Sequence, residues 1–155
     1  MNEELKQAAI SKKRIRSVAY PSLGLQEAIQ DTEDLRKKLG MGPYSRDAAV
    51  KALGYRGISG ASGTKIAALV HFGLLSRDAD TYRQSPLADR ILVPLNNEEK
   101  GKAIIEAVKT PKLYNQLISD FINKSLPTLL PNVLFHTYKI NEKVAQEVAA
   151  NFTQS

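Results

Sequence analysis

The stretch GISGASGTKIAALVHFGLL, Gly57 to Leu75, begins on glycines and serines and turns abruptly into an apolar helical pattern. On a helical wheel started at Ala61, Ile66, Leu69, Val70 and Gly73 share one face, while Ala61, Thr64, Ala68 and His71 lie opposite. Upstream, SRDAAVKALG predicts a helix of about two turns with Ser45 as N-cap, Asp47 in the first turn, Ala49, Val50 and Leu53 inward, and Gly54 past its end. The link YRGISGAS is too short to be a loop of its own. Gly54, Gly57 and Gly60 permit the positive φ angles of a sharp turn between two helices.

Working outward, Gly73 ends the second helix, and LLSR and TYRQ around the polar connector DADT predict two brief strands and a turn. SPLADRILVPL then predicts a short helix with Ser85 as cap, Pro86 at the first helical position and Pro94 as its stop. On the other side, Ser22 is expected to cap LGLQEAIQDTEDLRKKLG, in which Leu25, Ile29, Leu35 and Leu39 form an apolar stripe and Gly40 ends the helix. Helix, short helix, tight turn, helix, hairpin and helix is the order of a winged helix-turn-helix. In that architecture the second helix of the pair enters the major groove of DNA and the hairpin contacts adjacent backbone.

The last third predicts a helical subdomain. Asn96 or Asn97 caps a helix with Ala103, Ile104, Ala107 and Val108 apolar, and Pro111 starts another with Leu113, Leu117, Ile118 and Phe121 inward. A short buried helix is expected around Val133 to Tyr138, and Asn141 is expected to cap a last one, where Val144, Val148 and Phe152 recur every four residues. The expected fold class is mainly α with a small β-hairpin: an N-terminal helix and basic arm over 1–19, a winged helix-turn-helix over 20–95, and a helical subdomain over 96–155. This subdomain packs on the winged unit or on a second copy, so a homodimer is expected through the C-terminal helices.

The 155 residues carry 22 basic and 16 acidic side chains, a net charge of +6, which speaks to partners rather than fold. From Ala48 to Arg77 there is no acidic residue, and residues 6–26 form a second acid-free interval containing KKRIR. Both suit a polyanion. Duplex DNA is therefore the expected partner, contacted by Lys12, Lys13, Arg14 and Arg16 in the arm, by Arg56 in the turn, by Ser62, Thr64 and Lys65 at the second helix, and by Arg77 and Arg83 in the hairpin. Gly60 and Gly63 let backbone N–H groups approach a phosphate at that helix end. Base reading is expected to be modest, because Ala61, Thr64, Ala68 and His71 lack the Arg, Asn or Gln donors that discriminate base pairs best. The alternative is a protein interaction or assembly module on the same scaffold.

Catalytic and cofactor chemistry is not expected. Gly57 to Gly63 encloses five residues rather than four and is followed by Thr64 and Lys65, the reverse of the order a phosphate-binding loop needs. His71 and His136 have no second ligand at metal-site spacing, and the chain contains no cysteine, which removes disulfides and thiolate chemistry. No apolar run approaches a membrane span or a signal peptide, so a cytoplasmic protein without a membrane partner is expected.

YPSLGLQEAI, AAVKALGYRGISGASGTKIAALVHFGLL, YRQSPLADRIL, PKLY and KVAQEVAANF resemble a family of bacterial and archaeal domains of unknown function, over about Tyr20 to Phe152. Members share a Tyr-Pro-Ser start, an ALGY…SGAS segment and a helical C-terminal half. The resemblance implies a winged-helix-like fold and a prokaryotic or phage origin, and it implies no activity.

Overall fold

The computed structural model describes residues 20–121 and 124–154. Within them the chain is mainly helical, with one small three-stranded antiparallel sheet. Helix α1 (Leu25–Leu39) leads into strand β1 (Tyr44–Ser45), helix α2 (Arg46–Ala52) and helix α3 (Gly60–His71). Strands β2 (Leu75–Asp78) and β3 (Thr81–Gln84) follow, and then helices α4 (Pro86–Leu92), α5 (Asn97–Lys109), α6 (Lys112–Asp120), α7 (Leu130–His136) and α8 (Glu142–Gln154). No helix among the described residues is long and apolar enough to cross a membrane.

Local chemistry places most of these boundaries. Ser45 accepts a bond from Ala48 N at 3.1 Å, Ser85 from Ala88 N at 3.0 Å and Asn96 from Glu99 N at 2.9 Å, so each cap satisfies one of the unpaired N–H groups at a helix start. Helices α2 and α3 end identically. Gly54 (φ +97°) donates to Lys51 O at 3.0 Å and Tyr55 to Val50 O at 3.0 Å; Gly73 (φ +76°) donates to Val70 O and Leu74 to Leu69 O, each at 2.9 Å. Both are paired 5→2 and 6→1 closures that need a left-handed residue, and glycine supplies it without a Cβ clash.

Three expectations change here. Helix α1 starts at Leu25 with Gly24 as its N-cap and so lacks a side-chain cap; Ser22, expected to cap it, lies two residues further upstream with its Oγ 3.5 Å from Thr64 O. Of the glycines in the α2–α3 link, Gly54 alone takes a positive φ; Gly60 is already helical. Finally, the hairpin gains a third strand, since β1 pairs with β3, placing Tyr44 opposite Tyr82 and Ser45 opposite Thr81. Two residues are too short a signal to read from periodicity, and the pairing depends on β3, which lies more than thirty positions away in the chain.

One apolar core runs through both halves. Leu25, Ala28 and Leu35 of α1, Ala49 and Val50 of α2, Ile66 and Leu69 of α3, and Ile91 of α4 are buried, as are Ala103, Ala107, Leu113, Leu117, Leu134 and Val148 further along. Tyr114 joins the halves. Its buried ring lies 5.8 Å from Phe72 at the end of α3 and 5.0 Å, edge to face, from Phe152 of α8.

The approach of the α1–β1 loop to the sheet depends on one glycine. Gly42 has φ +100°, and a Cβ there would stand 2.8 Å from Tyr82 O and 2.9 Å from Arg83 Cα. Gly42→Ala is therefore expected to lower stability by about 1–3 kcal/mol in urea unfolding. Gly57→Ala, where a Cβ meets nothing within 4 Å, should change it by less than about 0.5 kcal/mol.

Candidate nucleic-acid interface

The beginning of α3 is closed by serines. Ser59 is the N-cap: its Oγ accepts from Ser62 N at 3.2 Å, while Ser62 Oγ accepts from Ser59 N at 2.8 Å and donates to Gly57 O at 3.1 Å. This is a capping box with serine in the place usually held by glutamate. Ser62 is fully buried and its hydroxyl is consumed, so the expectation that it meets a phosphate is corrected. Ser59, one turn earlier, carries the signal that sequence reading missed, in the spacing of SGAS.

Lys65 is also redirected. Its Nζ lies 3.3 Å from Asp31 Oδ2 and 3.6 Å from Glu27 Oε1 of α1, and only a fifth of its side chain is exposed. Burial pulls the ammonium down, but Asp31 first, then Tyr55 and Glu27, outweigh it and leave the pKa raised, so Lys65 stays charged. For Asp31 the balance is reversed: burial raises its carboxyl more than Lys65 lowers it, and the net shift is upward. A lysine that reads in sequence as a free cation beside a phosphate thus serves as a strut between α1 and α3.

What α3 leaves outside is small. Gly60, Ala61, Thr64 and Ala67 are exposed, whereas Ala68, expected on that face, is buried. Thr64 remains on the surface, with its hydroxyl donated back to Gly60 O at 2.7 Å. His71 is half-buried in the last turn, and burial lowers its pKa, so at neutral pH it adds no charge. A cleft of about 370 Å³ opens beside the helix start, lined by Gly60, Ala61, Thr64 and Lys65 with Glu27 and Glu147. Glu147 of α8 is the single contributor from the last third, and the tip of α3 stays open to solvent.

The cations expected to surround α3 divide into groups. Arg56 is exposed in the α2–α3 link without an ion-pair partner among the described residues. Arg77 and Arg83 lie on opposite faces of the hairpin, because Arg77 pairs across from Tyr82 and Ser76 across from Arg83. Only Arg77 shares the face of Tyr44 and Tyr82. Lys12, Lys13, Arg14 and Arg16 lie outside the described residues. Sequence reading missed Arg46, the first residue of α2, whose guanidinium donates to Tyr82 Oη from Nε at 3.1 Å and from Nη2 at 2.8 Å. Its partner is fixed by the β1–β3 pairing, which left no mark in the sequence.

Among the described residues no three His, Asp or Glu side chains gather as metal ligands. Compared with protein-family models, with curated proteins and with solved structures, the chain matches none.

The Lys65 strut gives a test. Lys65→Met leaves Asp31 without its cation and is expected to cost about 2–3 kcal/mol at neutral pH. An acid whose folded pKa lies above its unfolded value is penalised while ionised, so the loss should shrink as pH falls through that raised pKa toward about 4. Adding Asp31→Asn should recover most of it. Urea titrations of the three proteins at both pH values measure this; an equal loss at both would assign the effect to packing instead.

Proposed function

We propose that residues 20–95 form a winged helix-turn-helix that binds duplex DNA, with α3 entering the major groove, the β2–β3 hairpin as the wing and the chain acting as a transcriptional regulator or accessory factor. One observation carries this reading: the face of α3 turned away from the core is open and built of Gly60, Ala61, Thr64 and Ala67, at the side of a sheet in which β1 ties the helix pair to the hairpin. Small side chains let a helix backbone come close to base edges and phosphates. The same face lacks bidentate donors, so affinity exceeds specificity.

Electrostatics point to the backbone as the main source of affinity. Residues 20–95 contain ten basic and eight acidic side chains, whereas residues 1–19 contain five and two and so hold half of the net charge. In this reading Arg56 and the arm residues Lys12, Lys13, Arg14 and Arg16 neutralise phosphates, and Lys65 does not, being held by Asp31 and Glu27.

A second reading, an assembly module, is favoured by Leu126, Leu129 and Phe135, which are exposed around the start and outer side of α7. It pairs with self-association through the C-terminal helices.

Binding to a random fluorescent duplex, followed by anisotropy across a salt series, tests the first reading. The wild-type log–log slope should fall in magnitude by about 0.9 in Arg56→Ala and by about 3–4 when the four arm cations become Ala, and it should hold in Lys65→Ala. Failure to bind duplex at low salt would overturn it. For the second reading, light scattering should give twice the monomer mass, and Leu129→Glu with Phe135→Glu should halve it.

A further inference from the structure

The inner face of the hairpin carries a cluster that neither the α3 face nor the arm accounts for. Tyr82 is buried at 3% exposure, and two guanidiniums lie against its ring: Arg46 Cζ at 5.9 Å from the centroid and Arg77 Cζ at 6.0 Å. The phenol oxygen accepts twice from Arg46, and Arg77 Nε donates to Ala79 O at 3.1 Å. Aromatic contact and hydrogen bonds thus hold both charges in place, and neither has a carboxylate within ion-pair distance among the described residues.

These side chains line a cleft of about 340 Å³ together with Ile58, Asp47 and Asp80. Asp47 is taken up by Lys51 at 3.0 Å, which leaves Asp80 in the hairpin turn as the one opposing charge to two guanidiniums, an excess of one positive charge. Ile58 stands two residues ahead of α3, so the cleft adjoins the start of the proposed groove helix. Arg46 engages two of its five N–H donors and Arg77 one, and the remainder suit the nonbridging oxygens of a phosphodiester.

We propose that Arg46 and Arg77, held by Tyr82, form a clamp for the phosphate backbone of the DNA strand flanking the groove that α3 occupies. The proposal rests on the DNA-binding reading and adds to it a site and a positioning residue. Holding two arginines in advance removes part of the ordering cost that flexible surface cations incur on binding. Tyr82 acts through them and need not touch DNA.

The test uses the full chain and the same fluorescent duplex. Arg46→Gln and Arg77→Gln should each lower the magnitude of the salt slope by about 0.9, and the double variant by about twice that. Arg46→Lys keeps the charge and should keep the slope. Tyr82→Phe retains both charges and the ring but frees Arg46; with its folded fraction matched to wild type, it should weaken binding severalfold with the slope unchanged. Circular dichroism melts confirm that each variant is folded, and the Lys and Phe variants carry the test should a Gln variant unfold. Wild-type binding with slopes unaltered in the Gln variants would overturn the clamp and leave the DNA reading standing. Displacement of the duplex by inorganic phosphate at matched ionic strength would overturn it in favour of a small-anion site, and absence of duplex binding in the wild type would overturn both.

Discussion

The arrangement of the first half depends on where the ammonium of Lys65 goes. Held 3.3 Å from Asp31, it crosses from α3 to α1 and fixes the rotation of α3 about its own axis, with Ile66 and Leu69 inward and Ala61 and Thr64 outward. Asp31 is buried, so an α3 turned by a single residue would leave its carboxylate without a cation, a far larger penalty than any surface pair gains. The serine box at Ser59 and Ser62 fixes the same helix along its axis. Between them, the two devices decide which atoms α3 presents to a partner.

Much of the fold was legible because its boundaries are local chemistry. Ser45, Ser85 and Asn96 cap as their spacing indicates, Gly54 and Gly73 close their helices, and the hairpin strands fall where LLSR and TYRQ predict them. The illegible parts are those set by distant residues. Strand β1 exists only because β3 lies beside it, and the first helix has its N-cap at Gly24 rather than at Ser22, whose hydroxyl lies near Thr64 O of a distant helix. Ala68 is buried by what packs around α3, which no helical wheel of one segment contains.

The candidate site was read less well, for the same reason. Arg56 stands exposed in the link, as the turn signals placed it. Ser62 and Lys65 read in sequence as free for a phosphate, because residue type alone does not reveal that a polar group already has partners within the chain. Arg46 went unnoticed since its neighbour in space, Tyr82, is 36 positions away in the chain. Sequence reports charge; only packing reports which charge is still free.

The aromatic contact of Phe72, Tyr114 and Phe152 has a mechanical consequence. It welds the far end of α3 to the last helix of the chain, and Thr110 seals the joint by resting 3.3 Å from where a side chain on Gly73 would begin. Cutting the polypeptide after residue 95 would turn the Phe72 ring toward water, so the two halves should melt as one cooperative body, and a torque on the C-terminal helices would be transmitted to α3.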